Sequence, residues 1–199
     1  MIPSFNNNGT VPIFSTFRQE YLEVLRTIDL THSFRLVVIS LRPKSRGIIK
    51  LRSNNPYEYP LIDVNLLSDS NNEDIATLYD GVQIAINMTK TVTFQKLNTT
   101  LLDNSLPVCR QYEYLSREYW YCQFKQLGSH IAHAVGTCKM GPDPAKGAVV
   151  DHELKVHGIK NLRVADASIM PEVVSGHTHT PSVMIGEKLS QILKTRKFS

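Results

Sequence analysis

The sequence predicts an α+β fold, and three local patterns support this prediction. Short β-rich segments, separated by turns that contain proline, glycine or asparagine, lie at residues 33–41, 48–52 and 61–64. Apolar residues spaced by three and four predict helices over 15–28 and from 72 to about 89. Near the C-terminus, an apolar strand over 162–165 comes before a helix that Thr180-Pro181 opens.

The order of the elements suggests how they pair. The turn Arg42–Gly47 separates the first two β-rich segments, so we expect these two segments to form a hairpin. Before the second helix, Ser70 or Asn71 is available as the N-cap, and acidic residues follow in the first turn. The apolar stripe of this helix is typical of a core face, and we assign it no chemistry.

Composition and charge exclude several classes of protein. With 199 residues, 42% of them hydrophobic, the chain can bury one or two modest cores. The net charge of +4 is small and dispersed, so neither nucleic acid nor an anionic membrane surface is expected as a partner. Its longest apolar run is far shorter than the roughly 20 residues of a membrane-spanning helix. The first residues lack a signal-peptide pattern, so we expect an extracellular location only if a longer parent chain supplies one.

Three cysteines leave two interpretations open. Cys109 and Cys122 either form a disulfide, as in a secreted protein, or remain buried thiols, and Cys138 is expected to be a packed residue. Neither Cys-x-x-Cys nor histidine at ligand spacing accompanies them, so a zinc site is not expected. Asn-x-Thr triplets begin at Asn8, Asn87 and Asn98, and these would be glycosylation acceptors in an exported chain.

Histidines concentrate where the C-terminal strand passes into the last helix. Six of the seven lie between residues 130 and 179, and two of those six, His152 and His157, sit in a polar loop. A helix N-terminus presents unpaired N–H groups and the positive end of the macrodipole, which favour an electron-rich group. Histidines beside it can take a proton from a substrate near neutral pH or stabilise an alkoxide. A purely structural role remains the alternative for each of them.

Several separated motifs in this part of the chain resemble one family. HAVGTCKMGP, GAVVD, LKVHGIKNLRVADASIMP, VSGHTHTP and MIGEK follow in order, and LRPKSRGIIKLRSNNPYEYPLIDVNLLSDSNNEDI lies upstream. Together they resemble the C-terminal part of the glucose-methanol-choline oxidoreductases, flavoenzymes that oxidise alcohols. The resemblance covers roughly residues 35 to 195, and it is strongest to the insect glucose dehydrogenase branch.

The resemblance implies FAD-dependent oxidation of a CH–OH group, with an alcohol or sugar as substrate. His133 falls on the family position above the flavin ring and is expected to assist deprotonation, while His177 holds the same oxygen. Asp166 and Ala167 fall on the position near the ribityl-diphosphate region of the flavin. His179, Thr180 and Pro181 fall where a helix N-terminus faces the pyrimidine edge, whose negative charge in reduced flavin the helix dipole can stabilise. His179 departs from the family, where asparagine is commoner.

The resemblance also implies a division of the chain. Residues 1–127 are expected to form a substrate-binding region with an antiparallel sheet, and residues 128–199 the strand and helix that complete an FAD-binding α/β domain. The G-x-G-x-x-G motif that binds the FAD pyrophosphate in this family is absent from these residues. We therefore expect the N-terminal flavin-binding half to be a required partner, and the isolated chain to neither retain FAD nor oxidise alcohol.

Two other classes of function compete with this interpretation. The chain could be a non-catalytic remnant that binds a small molecule or a protein through an exposed apolar face. It could also be a metal-dependent hydrolase that uses the histidines, although no carboxylate stands at ligand spacing with them.

Overall fold

A computed structural model describes residues 19–26, 28–29, 31–103 and 105–196. The chain divides into two compact units, one of residues 1–40 with 66–129 and the other of residues 41–65 with 130–199. Residues 41–65 thus group with the C-terminal segment. The roles expected for residues 1–127 and 128–199 stay predictions.

The first unit is helical. Its helices are α1 (Gln19–Arg26), α2 (Glu73–Thr89), α3 (Val92–Lys96) and α4 (Arg117–Leu127), with a short 3-10 turn at Pro107–Cys109. A core of Tyr21, Leu106, Cys109 and Tyr119 lies among them. The helix predicted from residue 72 to about 89 is confirmed by α2. Of the helix predicted over 15–28, residues 15–18 and 27 lie outside the described part, and α1 falls within the rest.

The N-cap predicted for α2 is wrong. Asn72, not Ser70 or Asn71, occupies the N-cap position, with φ of 55° and no capping bond from its own side chain. Asparagine tolerates this left-handed conformation, and the turn it makes brings an earlier carboxylate to the helix end. The two Asp69 carboxylate oxygens accept hydrogen bonds from the backbone N–H groups of Glu73 and Asp74.

A disulfide joins Cys109 to Cys122, with 5.7 Å between their Cα atoms. Of the two interpretations open from the sequence, the structure therefore contains the disulfide, which ties the 3-10 turn to α4. Beside it, the Tyr119 hydroxyl lies 2.8 Å from the Ser105 hydroxyl and accepts a 2.8 Å hydrogen bond from the Gln123 amide. Cys138 keeps a free, partly exposed thiol.

The second unit contains the antiparallel strand pair β1 (Ile48–Lys50) and β2 (Leu61–Asp63), with Ile49 opposite Ile62. The hairpin predicted between 33–41 and 48–52 is therefore wrong, because residues 33–41 form no strand and β1 pairs with the next segment along the chain. Hydrogen bonds between Ser53 and Glu58, and from the Glu58 N–H to the Asn55 carbonyl, shape the connection that brings β2 back. The strand predicted at 61–64 is confirmed.

The rest of this unit consists of loops, two short 3-10 turns and a long last helix around an apolar core of Val150, Leu154, Ile169, Met170 and Ile185. The strand predicted over 162–165 is wrong: only Arg163 makes a bridge, to Lys155. Backbone hydrogen bonds from Val156 to the Leu162 carbonyl and from Val164 to the Leu154 carbonyl flank this single bridge. Helix α5 (His179–Arg196) follows, starting two residues before Pro181, which lies in its first turn as predicted.

No helix in the described ranges is long and apolar enough to cross a membrane.

Candidate active site at the start of helix α5

His133 lies on a loop whose backbone is held from both sides. On one side, Ala132 has φ of 59° and its N–H donates to His130 Nδ1 at 3.1 Å. On the other, Gly136 has φ of 89°, and a Cβ there would lie 3.4 Å from the Met170 carbonyl oxygen. Because only glycine adopts this conformation without strain, the residue type at position 136 lets the loop turn close to Met170.

Two backbone hydrogen bonds continue this attachment. The Cys138 N–H donates to the Ser168 carbonyl at 3.0 Å, and the Met140 N–H donates to the Ile169 carbonyl at 2.8 Å. Ile169 belongs to the core that also contains Ile185 of α5. The histidine loop and the start of the last helix are thus fixed to one set of buried residues.

The second histidine, His177, comes two residues before α5. Thr178, between His177 and the helix, is buried, with 6% of its surface exposed. Its carbonyl accepts hydrogen bonds from the Ser182 N–H at 3.0 Å and the Ser182 hydroxyl at 2.7 Å, which close the first turn of the helix. The helix therefore fixes the backbone that carries His177.

The two histidines are in direct contact. His133 Nε2 lies 2.7 Å from His177 Nδ1, and the two rings meet edge to face with centroids 4.9 Å apart. The other ring nitrogen of His133, Nδ1, lies 2.8 Å from the Thr178 hydroxyl oxygen. His133 is half-buried and His177 is exposed, so one side of the pair is open to solvent.

The contacts at Thr178 and His177 define which combinations of neutral tautomers are possible. When His133 donates from Nδ1 to the Thr178 oxygen, its Nε2 carries a lone pair and accepts from the His177 Nδ1–H. In the opposite neutral arrangement, Thr178 donates to Nδ1 and His133 Nε2 donates to His177. Either way, the pair offers a proton acceptor and a proton donor within one hydrogen-bonded unit.

The residues predicted to bind a cofactor fall into two groups. His179, Thr180 and Pro181 make up the first turn of α5, directly after the histidine pair, with His179 and Thr180 exposed. Asp166 is exposed, and its carboxylate accepts hydrogen bonds from the Ser168 N–H and hydroxyl, at the start of the 3-10 turn Ala167–Ile169. No hydrogen bond links Asp166 or Ala167 to His133 or His177 within the described residues.

The first turn of α5 fits an electron-rich cofactor edge. The helix is 18 residues long, its first N–H groups have no intrahelical partner, and its dipole places positive charge there. At Gly176, beside the pair, a Cβ would meet nothing within 4 Å, so the approach to this turn is open.

The other histidines of the cluster have local partners. His157 Nε2 lies 3.0 Å from the Gly141 carbonyl, and His130 bonds to Ala132 as described above. Among the described residues, no group of three or more His, Cys, Asp or Glu side chains is placed to hold a metal ion.

Thr178 is the site residue that sequence reasoning missed. The sequence predicts a helix that opens at Thr180-Pro181, whereas α5 begins at His179, directly after Thr178. Threonine is favoured at the residue before a helix, but that preference predicts a helix cap and not a contact with His133.

The same sequence also matches known proteins. A sequence profile described as GMC oxidoreductase matches residues 43–186. A glucose dehydrogenase [FAD, quinone] of Drosophila pseudoobscura pseudoobscura is 43% identical over 77% of this chain and 24% of its own length. An alcohol dehydrogenase [acceptor] of Pseudomonas putida is 39% identical over 84% of this chain and 29% of its own length.

Solved structures agree with the sequence matches. An FAD-dependent oxidoreductase from Chaetomium thermophilum superimposes with a TM-score of 0.66 at 26% identity, covering 79% of this chain and 26% of that one. A formate oxidase superimposes with a TM-score of 0.65 at 28% identity, covering 78% of this chain and 26% of that one. This chain thus spans about a quarter of the length of these relatives.

Fold and sequence together identify the family of this chain. It belongs to the GMC oxidoreductase family and corresponds to the C-terminal part of that fold. The predicted family is confirmed, and FAD is confirmed as the cofactor of that family.

Proposed function

We propose that this chain supplies the proton-handling half of an FAD-dependent oxidoreductase that oxidises a CH–OH group of an alcohol or sugar. The observation that carries the proposal is the 2.7 Å contact between His133 Nε2 and His177 Nδ1, immediately before the exposed first turn of α5. Family membership and the names of the relatives, a glucose dehydrogenase and an alcohol dehydrogenase, support the kind of substrate.

The reaction needs one of the two tautomers of His133 that the Thr178 contact allows. In that tautomer Thr178 Oγ1 accepts from His133 Nδ1–H, which leaves the lone pair of His133 on Nε2. When the two rings move apart to admit a substrate hydroxyl, this hydroxyl replaces the His133–His177 hydrogen bond and donates its proton to His133 Nε2. The N–H at His177 Nδ1, which bonds to His133 in the absence of substrate, then donates to the substrate oxygen. His133 is thus the base and His177 the group that stabilises alkoxide character.

Proton removal prepares the carbon for oxidation. As negative charge develops on the oxygen, the adjacent C–H becomes a better hydride donor, and a positioned base contributes about 10²- to 10⁴-fold in rate. FAD, when bound, supplies the hydride acceptor. In this proposal the first turn of α5, with His179, Thr180 and Pro181, holds the electron-rich edge of FAD, and Asp166 with Ala167 lies nearer its ribityl-diphosphate part.

The proposal assigns the remaining functions to other parts of the enzyme. Residues 1–127 contribute to substrate binding, and the parts of the relatives that lie outside the matched quarter bind most of FAD. The strand pair supports this assignment, because its apolar side chains are exposed to solvent. Ile48 is 51% exposed, Ile49 50% and Ile62 65%. Apolar side chains exposed together mark a surface that packs against another part of a protein.

The experiment that tests this function uses the complete enzyme from the natural gene, loaded with FAD. A panel of sugars and primary alcohols first identifies the substrate that reduces the flavin fastest under anaerobic conditions. With that substrate, His133→Ala and His177→Ala should slow flavin reduction, the former by about 10²-fold or more. His152→Ala, which changes an exposed histidine outside the pair, serves as the control and should react at the wild-type rate.

A His133→Ala enzyme that retains FAD and reduces it at the wild-type rate would contradict the proposal. A wild-type enzyme that binds FAD but is reduced by no alcohol or sugar would do the same.

A further inference from the structure

The proposed oxidation makes no use of the Asn-x-Thr triplets in the first unit. Two of them, at Asn87 and Asn98, lie in the described part of the chain, and both asparagines are exposed. Both have the same Asn-x-Thr motif, so the sequence does not indicate which asparagine is the better glycosylation acceptor. Their local structures differ.

Asn98 lies in a turn directly after α3. Its φ is 51°, and its N–H donates to the Gln95 carbonyl at 2.9 Å. Asparagine is one of the few residues that adopt this left-handed conformation at low cost. Its side-chain amide has no hydrogen-bond partner among the described residues, and the chain leaves the turn in a stretch without regular structure, where Thr100 is exposed. Both functional groups of the triplet are therefore accessible.

Asn87 has the opposite environment. The whole triplet Asn87-Met88-Thr89 lies within the last turn of α2. The Thr89 hydroxyl is partly buried and donates to the Ile86 carbonyl at 2.7 Å, and the Asn87 side-chain oxygen accepts from Lys90 Nζ at 3.4 Å. The Asn87 side chain and the Thr89 hydroxyl, which glycosylation requires, are therefore held in the helix by these hydrogen bonds.

A second observation supports the secretory pathway as the compartment of this protein. The disulfide between Cys109 and Cys122 lies in the same unit as Asn98. Structural disulfides form and persist in the secretory pathway and outside the cell, and they are rare in the reducing cytosol. The compartment that oxidises these cysteines is also the one in which Asn-x-Thr triplets are glycosylated.

We propose that Asn98 carries an N-linked oligosaccharide, added as the protein passes through the secretory pathway. In the transfer, Asn98 Nδ2 attacks the anomeric carbon of an oligosaccharide carried on a lipid pyrophosphate. A C–N bond forms, the C–O bond to the pyrophosphate breaks, and the amide loses one proton. The glycan then extends from an exposed turn, and it displaces no contact of the Asn98 side chain within the described structure.

The test expresses the natural gene in full, with its own N-terminal region, in a eukaryotic cell line. The protein is treated with a peptide amidase that removes N-glycans in heavy-oxygen water, and its peptides are then analysed by mass spectrometry. We expect labelled aspartate at position 98 and, in the non-reduced digest, a linked peptide pair that contains Cys109 and Cys122.

Two threonine variants provide a matched pair. Thr100→Ala destroys the triplet while keeping Asn98, and Thr99→Ala changes the neighbouring residue while keeping the triplet. The first should lose the mobility shift of one glycan on a gel and the second should keep it, as should Asn87→Gln. An unlabelled Asn98, a glycan found only at Asn87, or equal mobility of the Thr100→Ala and wild-type proteins overturns the proposal.

Discussion

Thr178 connects the chemistry of the histidine pair to the folding of the last helix. Its hydroxyl lies 2.8 Å from His133 Nδ1, and its carbonyl accepts the first hydrogen bonds of α5 from Ser182. One buried residue thus contacts the ring of His133 and holds the backbone that carries His177. In the proposed reaction Thr178 is a positioning residue, since it acts on the substrate only through His133.

Thr178→Val should lower the rate of flavin reduction by roughly fivefold, the effect of losing one hydrogen bond worth about 1 kcal/mol. Valine keeps the shape of the side chain but removes the oxygen that His133 Nδ1 contacts. Thr178→Ser restores that oxygen and should restore most of the rate. Anaerobic stopped-flow measurement at saturating substrate gives the rate directly. Equal rates in Thr178→Val and Thr178→Ser would assign Thr178 a structural role alone.

The two histidines of the site could be predicted from sequence motifs, whereas Thr178 could not. His133 and His177 stand in blocks that resemble a known family, so both could be singled out, and the structure places them in contact. Thr178 bonds to a residue 45 positions earlier in the chain. No local pattern records such a long-range contact, although the preference for threonine before a helix was available.

At the scale of elements, the histidine loop depends on its attachment to the segment Ser168–Met170. Gly136 is the residue that allows the loop to approach, because its positive φ disfavours any residue with a side chain. The hydrogen bonds from Cys138 and Met140 follow directly after it. Loop, 3-10 turn and α5 therefore form one structural support for the pair.

Gly136→Ala should destabilise the enzyme by about 1 to 2 kcal/mol, because alanine pays a conformational cost at this φ. Gly186→Ala provides the comparison: it lies within α5, its Cβ would meet nothing within 4 Å, and alanine favours the helix by about 0.5 to 1 kcal/mol. Thermal unfolding of the two FAD-loaded variants should show a lower midpoint for the first and an equal or higher midpoint for the second. An unchanged midpoint for Gly136→Ala would contradict this account.

Long periodic elements were predictable from the sequence and short paired ones were not. Helices α2 and α5 have 17 and 18 residues, and their apolar spacing or terminal proline identified them. Strands β1 and β2 have three residues each, too few for an alternating pattern to specify a partner. Side-chain hydrogen bonds in the turn at residues 53–58 shape the connection between β1 and β2. No pattern in the sequence predicts these bonds.

At the scale of the whole molecule, the proposed activity requires more than these 199 residues. The chain covers about a quarter of each relative, and the histidine pair handles only the proton of the reaction. The hydride acceptor needs a binding site of its own. Exposed apolar side chains on the strand pair agree with a surface that packs against the rest of such an enzyme.

The isolated 199-residue chain should therefore fail to retain FAD. After incubation with excess FAD and extensive dialysis, we expect no flavin absorbance to remain with the protein, whereas the complete enzyme treated in the same way should keep it. Circular dichroism on the same samples shows whether the isolated chain is folded. Stoichiometric flavin on a folded isolated chain would mean that these residues suffice for binding.

The central claim is that His133 and His177 act on one substrate oxygen as a single unit. A double-mutant cycle tests it most directly, with the flavin-reduction rate measured for His133→Ala, His177→Ala and the combined variant in the complete enzyme. Residues that act as a unit give strongly non-additive losses, so the combined variant should be about as slow as the slower single variant. Losses that multiply across the two positions would show that the histidines act independently, and the account would be wrong.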